Sequence, residues 1–245
     1  MSQLSRRKLI ASALGATAGV AGIAVTARLA DRNGFTPPEW HGIYGPGDTM
    51  TYAAQKLLTR HTMAREFSRD QISKAPFANQ ISPPSEEFKR LQAGGFADWR
   101  LDIGGMVARP TSLSLADIRR YPLRSQITHL ACEEGWSYVA DGIGTPLFHV
   151  LDAVGVLPRA KYVVYHSIEK GWTDSIDMAD ALHPQTFLTC GMNGGELPVG
   201  FGGPLRMRVP RQLGYKSVKF INRLTVVDSI KALPPGGDYS WYAGI

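Results

Sequence analysis

Thr128–Ser137 reads THLACEEGWS. Ser125–Ala131 is expected as a strand, so Cys132 stands at a strand end and enters a polar loop. That loop brings two carboxylates, a glycine and a tryptophan. A thiol so placed is positioned to hold a metal or to attack a substrate. The surrounding chain reads as a cradle that brings a large anionic cofactor to this sulfur.

Working outward, 245 residues with 44% hydrophobic side chains suffice for one substantial core or two small ones. Twenty-six glycines and 16 prolines among several short apolar runs indicate a turn-rich domain containing β-structure rather than a helical bundle. The net charge of +6 comes without a long Lys/Arg run or a nucleic-acid motif. No nucleic-acid partner is therefore expected, and the charge reads as general solubility.

Ser5-Arg6-Arg7-Lys8-Leu9-Ile10 precedes an uncharged run, Leu9–Ala27, rich in Gly and Ala. Adjacent arginines before a weakly apolar run look like a twin-arginine export signal. The translocase of that route is then a partner and the periplasm the destination. The run also has the roughly 20 residues of a membrane span, so an uncleaved inner-membrane anchor is the alternative. The expected organisation is residues 1–30 as signal or anchor, 31–95 as linker and N-terminal extension, and 96–245 as the functional domain.

Within the extension, Asp48 is expected to cap a helix over Thr49–Arg60 with Leu57 and Leu58 on its apolar side. Arg60–Lys74 reads as a surface extension that wraps the domain, and Ala75–Pro84 as a loop. Trp99–Ile103 alternates like a half-buried strand, and Gly104-Gly105 is expected to turn it. Ser114 with Asp117 forms a capping box for a short helix. Thr145 is expected to cap a helix with Pro146 at its first position, Leu147, Val150, Leu151 and Val154 on one face, and Gly155 at its end. Lys161–Ile168 reads as a core strand and Asp177–Leu182 as a short helix. Thr186–Cys190 and Glu196–Val199 flank an Asn-Gly hairpin turn. Leu205–Val209 and Phe220–Val227 are the last strands.

Gly202–Lys219 carries Arg206, Arg208, Arg211, Lys216 and Lys219 and no acidic residue. In a strand, Arg206 and Arg208 share one face while Leu205, Met207 and Val209 face the core. Guanidinium forks, ammoniums and backbone N–H groups bind phosphates. A solvated basic edge strand produces the same pattern. The two cysteines, Cys132 and Cys190, admit a disulfide in an exported protein. They equally admit a catalytic thiol with His129, His149 or His166 as base, or a zinc site begun by His129 and Cys132.

Six blocks together resemble the sulfite oxidase superfamily of molybdopterin enzymes. They are WRLDIGGMVARP (99–110), CEEGWS (132–137), GTPLFHVLDAVG (144–155), AKYVVYHSI (160–168), ALHPQTFLTCGMNGGELP (181–198) and GGPLRMRVPRQLGYKSVKF (202–220). Within it they are similar to the catalytic subunits of periplasmic methionine-sulfoxide reductases and their short haem-free relatives. The resemblance implies an α+β, mostly β, mixed-sheet domain of the sulfite oxidase fold holding molybdenum with molybdopterin. By the same resemblance, Cys132 is the catalytic metal ligand and Arg206 binds the pterin phosphate. Ser217, Val218 and Lys219 form the phosphate-binding turn, Ser167 retains a cofactor-contacting hydroxyl, and Asn79 is the upstream cofactor-binding asparagine. The implied activity is oxygen-atom or electron transfer on a small-molecule substrate, with sulfoxide reduction as one form. No haem-binding Cys-x-x-Cys-His is present, so a membrane haem-b subunit is implied as electron partner.

The sequence departs from that pattern at Phe201, where a polar cofactor contact is expected, and at Glu133-Glu134-Gly135-Trp136, which argues against sulfite. Trp136 and the Tyr165–Trp172 segment are expected at the substrate mouth. Two rivals stay open: a cofactor-free binding protein on the same fold, and a thiol hydrolase using Cys132.

Overall fold

The computed structural model describes residues 25–26, 28–31, 34–38, 46–59, 61–79, 83, 85–231 and 241. The twin-arginine motif and most of the apolar run after it lie outside these, as does the Pro/Gly-rich stretch at 39–45. Among the described residues no helix is long and apolar enough to cross a membrane. The chain divides into two units, Met1–Thr59 and Arg60–Ile245.

The first unit contains helix α1, Pro46–Thr59. It begins earlier than expected because proline suits the first helical position, which places Asp48 inside the first turn rather than at the cap. Leu57 and Leu58 are exposed, so the expected apolar side is not a buried one.

The second unit runs in chain order through α2 (Glu86–Ala93), β1 (Leu101–Gly105), β2 (Thr111–Leu113), α3 (Leu115–Ile118), β3 (Arg124–Ala131), β4 (Ser137–Pro146), α4 (Leu147–Val154) and β5 (Tyr162–Ser167). It continues with β6 (Thr173–Asp177), α5 (Met178–Ala181), β7 (Phe187–Met192), β8 (Gly195–Glu196), β9 (Arg206–Arg208) and β10 (Ile221–Val227). One sheet has the order β2-β1-β10-β5-β6, with β1 and β10 parallel and its other pairs antiparallel. The other runs β3-β4-β7-β8, with β9 also paired to β7. The result is the expected mixed α+β, mostly β architecture.

The core joins both sheets and α4. Leu147, Val150, Leu151 and Val154 all lie on the buried face of α4, as their spacing predicts, and Gly155 closes the helix at φ +67°. The stretch after Arg60 does wrap the domain. Glu66 bridges Thr128, the Phe67 N–H donates to the Ile127 carbonyl at 2.9 Å, and the Ser73 N–H donates to the Val139 carbonyl at 3.0 Å. α2 is capped by Ser85 and sends Phe88 and Leu91 into the interior.

Two local expectations are corrected. Gly104 and Gly105 do not turn the first strand; they continue it, opposite Thr225 and Val226 of β10. Glycine is required there by closeness: a Cβ on Gly105 would lie 2.2 Å from the Val226 carbonyl oxygen. Thr145 does not cap α4 either. It pairs with Leu188 while Pro146 pairs with Phe187, so the residues before the helix stay extended. The Ser114–Asp117 capping box and the Asn193-Gly194 hairpin turn are both present, the latter with φ of 52° and 85°.

Candidate cofactor site

β3 delivers Cys132 to the wall of an open cavity. The turn after it is tight. The Cys132 N–H donates to the Trp136 carbonyl at 2.9 Å, and Gly135, at φ +89°, returns an N–H to the Cys132 carbonyl. The half-buried thiol donates towards Glu133 Oε2 at 3.3 Å and Glu134 Oε2 at 3.7 Å. Burial, reinforced by these two carboxylates, pushes its pKa up to about 12. A thiol left so is protonated at neutral pH and a poor nucleophile. Among the described residues no histidine hydrogen-bonds to it. His166 bonds instead to Thr173 Oγ1 at 3.1 Å, and His129 packs beside the Phe67 ring. Both cysteines are free, so the disulfide alternative is not realised.

The opposite wall is cationic and buried. Arg206 is 5% exposed. Its Nη1 donates to the Phe201 carbonyl at 2.8 Å and Tyr138 Oη at 3.3 Å, and its Nη2 to the Ser217 carbonyl at 2.5 Å. Its Nε is buried without a partner. Arg208 does not line this cavity; 7% exposed, it donates to Thr128 Oγ1, the His129 carbonyl and Ser217 Oγ. Burial pulls this guanidinium down to about 10. These burials overturn the solvated-edge alternative for the strand. Lys219 Nζ donates to the Gly200 carbonyl at 2.7 Å. Burial and the nearby Arg206 hold its pKa at about 7.

Two glycines let these pieces close on one another. A Cβ on Gly214 would sit 3.3 Å from Cys132 Cα, so the turn at 214–219 packs directly on the end of the cysteine strand. Gly202, at φ +104°, would place a Cβ 2.9 Å from Lys219 Cβ. Bulk at Gly214 would press on the end of β3, and bulk at Gly202 would displace Lys219 and Arg206.

Asn79, Cys132, Arg206, Ser217, Val218 and Lys219 all line this one cavity. Ser167 does not. Its Oγ accepts the Glu169 N–H at 3.0 Å and so braces the loop whose Glu169 and Trp172 do line the cavity. Trp136 and Trp172 stand at the cavity as expected, whereas Tyr165 is fully buried and bonded to the Lys216 carbonyl. Lys216 is also corrected: its Nζ donates to Asp174 Oδ1 at 2.6 Å and the Ser175 carbonyl at 2.9 Å, away from the phosphate turn. Phe201 packs edge-on against Tyr138 at 5.6 Å, and Tyr138 in turn stacks on Trp136. Glu169 lies in the segment expected at the mouth and Tyr215 in the 202–220 block, but neither was singled out as a site residue; both line the cavity.

The donor set fits a metal carried by an organic cofactor. Among the described residues no group of three or more His, Cys, Asp or Glu is placed to hold a metal ion, so the His129 and Cys132 pair gains no third ligand from them. Cys132 offers one soft ligand, so further ligands must arrive with the cofactor. The unpartnered Arg206 Nε, with Lys219 beside it, fits that cofactor's phosphate.

Comparison with known proteins agrees. The oxidoreductase molybdopterin binding domain model matches residues 89–232. A protein of Azospira oryzae, provisionally named protein-methionine-sulfoxide reductase subunit YedZ1, is 36% identical over 193 residues, covering 77% of this chain and 70% of its own. The protein-methionine-sulfoxide reductase catalytic subunit MsrP of Xanthomonas axonopodis pv. citri is 32% identical, covering 63% of this chain and 52% of its own. The sulfane dehydrogenase SoxCD of Paracoccus pantotrophus shares the fold at a TM-score of 0.52 and 24% identity, over 54% of this chain and 39% of its own. This chain thus spans about half the length of the second relative and less of the solved structure. On the matched domain and these relatives, the chain belongs to the oxidoreductase molybdopterin-binding domain family, with the sulfite oxidase fold and molybdenum-molybdopterin as cofactor.

Proposed function

We propose that this oxidoreductase is an exported enzyme that reduces a sulfoxide, taking two electrons and two protons to give the sulfide and water. The observation that carries the reading is the meeting, in one cavity, of a single soft thiol donor with a buried cationic wall. The names of the two relatives support the substrate, and the twin-arginine motif supports export to the periplasm.

In this reading Cys132, as thiolate, is the metal ligand. A metal cation beside it reverses the unfavourable effect of Glu133 and Glu134 on its ionisation. Arg206 and Lys219 grip the cofactor phosphate together with the Ser217–Lys219 turn, and Asn79 contacts the cofactor from the loop. Trp136 lines the site, with Tyr138 stacked on it and Phe201 edge-on against Tyr138. When bound, the cofactor supplies the two-electron oxygen-atom chemistry. Electrons come from a partner, since the chain has no haem-attachment motif; a membrane haem-b subunit fits the family.

Cys132→Ser tests the ligand role. Activity with reduced viologen and an alkyl sulfoxide is expected to vanish, because an alcohol is a poor soft-metal ligand. Full activity in that variant removes Cys132 from the metal. A wild-type holoenzyme that reduces no sulfoxide removes the substrate reading.

A further inference from the structure

The cavity is polarised. Its inner wall is made of buried groups, Arg206 and the Ser217–Val218 turn. The acidic side is closer to solvent: Glu134 is exposed, Glu133 and Glu169 are half-buried, and Trp172 beside them is 44% exposed. The carboxylates come from two loops. Glu133 and Glu134 follow β3, and Trp136 Nε1 fixes Glu134 by donating to Oε2 at 2.7 Å. Glu169 lies between β5 and β6 in a loop braced by Ser167 and by the Trp172 N–H. A phosphate on the inner wall carries close to two negative charges and neutralises Arg206 and Lys219. The acidic mouth then dominates what an approaching molecule meets.

From this arrangement we infer that Glu133, Glu134 and Glu169 set substrate choice by charge: the site selects neutral and cationic sulfoxides and turns away anionic ones. The inference rests on the sulfoxide-reductase reading and adds a specificity that the family assignment does not contain. The apolar faces of Trp136 and Trp172 complement it, since they suit the carbon skeleton of the same substrate while the carboxylates read its charge.

Three substrates with one reacting group provide the test: N-acetylmethionine sulfoxide (anionic), its amide (neutral), and methionine sulfoxide amide (cationic near neutral pH). Each is assayed with holoenzyme and reduced viologen. A unit charge held about 7 Å from one carboxylate in a water-like surrounding shifts kcat/KM about threefold. Three carboxylates, partly screened, are expected to favour the cation over the anion by about tenfold or more. The spread narrows as salt rises to about 1 M, where the screening length is about 3 Å. Glu169→Gln, far in sequence from Cys132, is expected to lower the cation-to-anion ratio about threefold, each variant being scaled to its own rate on the neutral amide. Equal kcat/KM for all three substrates, or a ratio untouched by Glu169→Gln, overturns the inference while leaving sulfoxide reduction standing. No turnover of any of the three overturns the underlying reading instead.

Discussion

Replacing Arg206 by methionine separates cofactor binding from folding. In the folded chain this guanidinium is 5% exposed, and its bonds run to neutral oxygens of Phe201, Tyr138 and Ser217. Methionine strips donors from the buried Ser217 carbonyl and the half-buried Phe201 carbonyl, at about 1–3 kcal/mol each. It also removes a buried charge that has no carboxylate hydrogen-bonded to it, which relieves desolvation of similar size. The opposed effects leave the stability of the cofactor-free chain within about 2 kcal/mol of wild type. For a domain of this size that is a few degrees of Tm. The loaded protein has no such compensation. A hydrogen bond to a charged group is worth about 1.5–3 kcal/mol, so cofactor affinity is expected to fall roughly 10- to 100-fold. The assay is molybdenum and pterin per chain after extended dialysis, read beside the melting temperature of the cofactor-free form. Arg206→Lys should fall between, because an ammonium keeps the charge and loses the fork. A methionine variant that keeps as much molybdenum as wild type refutes the phosphate role. A variant that loses molybdenum only because the cofactor-free chain no longer folds refutes the energetic argument.

If Lys219 meets the cofactor phosphate as proposed, cofactor loading is expected to be a protonation event. Its pKa is lowered to about 7 in the cofactor-free fold, so between about pH 7 and its unfolded value the unfolded chain binds more protons, and this residue's contribution to stability rises with pH. A phosphate beside it raises the folded pKa again. Loading at pH 8 is therefore expected to take up protons, visible as a binding enthalpy that changes with the ionisation enthalpy of the buffer; a buffer-independent enthalpy contradicts this. Lys216→Met is expected to cost about 3–5 kcal/mol, because it leaves Asp174 buried without its ammonium. Urea unfolding measures this, and Asp174→Asn in the same chain should recover much of the loss.

Much of the site was legible because its residues cluster in sequence. Cys132 stood out as a thiol at a strand end, and Arg206, Ser217 and Lys219 sat in one acid-free stretch whose blocks matched the family in order. Legibility failed where partners lie far apart. Lys216 looked like another phosphate cation until Asp174, 42 residues away, took its ammonium. Arg208 looked solvent-facing by strand alternation, yet Thr128 and the His129 carbonyl on β3 cover it. β4 was not read as a strand at all: Ser137–Pro146 contains Asp141, Gly142 and Gly144 and lacks a β-branched run. The sheet needs Gly144, since a Cβ there would lie 2.1 Å from the Leu188 carbonyl oxygen on β7, whereas Gly142 has room for one.

Phe201 was the residue that most favoured a cofactor-free relative, since it removes a polar contact. Its surroundings weigh against that reading. The ring is absorbed by Tyr138, and Arg206 still reaches the Phe201 backbone carbonyl, so the change alters the wall and spares the cation behind it. A protein freed from binding the cofactor would have no use for two buried guanidiniums whose hydrogen bonds run only to neutral oxygens, beside a lysine held near pKa 7. Each carries a desolvation cost that an apolar side chain would avoid. The contrast inside the same stretch is informative: among the described residues Arg211 and Lys216 meet Asp180 and Asp174, while Arg206 at the cavity meets no carboxylate. The chain matches Arg211 and Lys216 with carboxylates and leaves Arg206, whose Nε is buried without a partner beside the cavity, for an anion from outside.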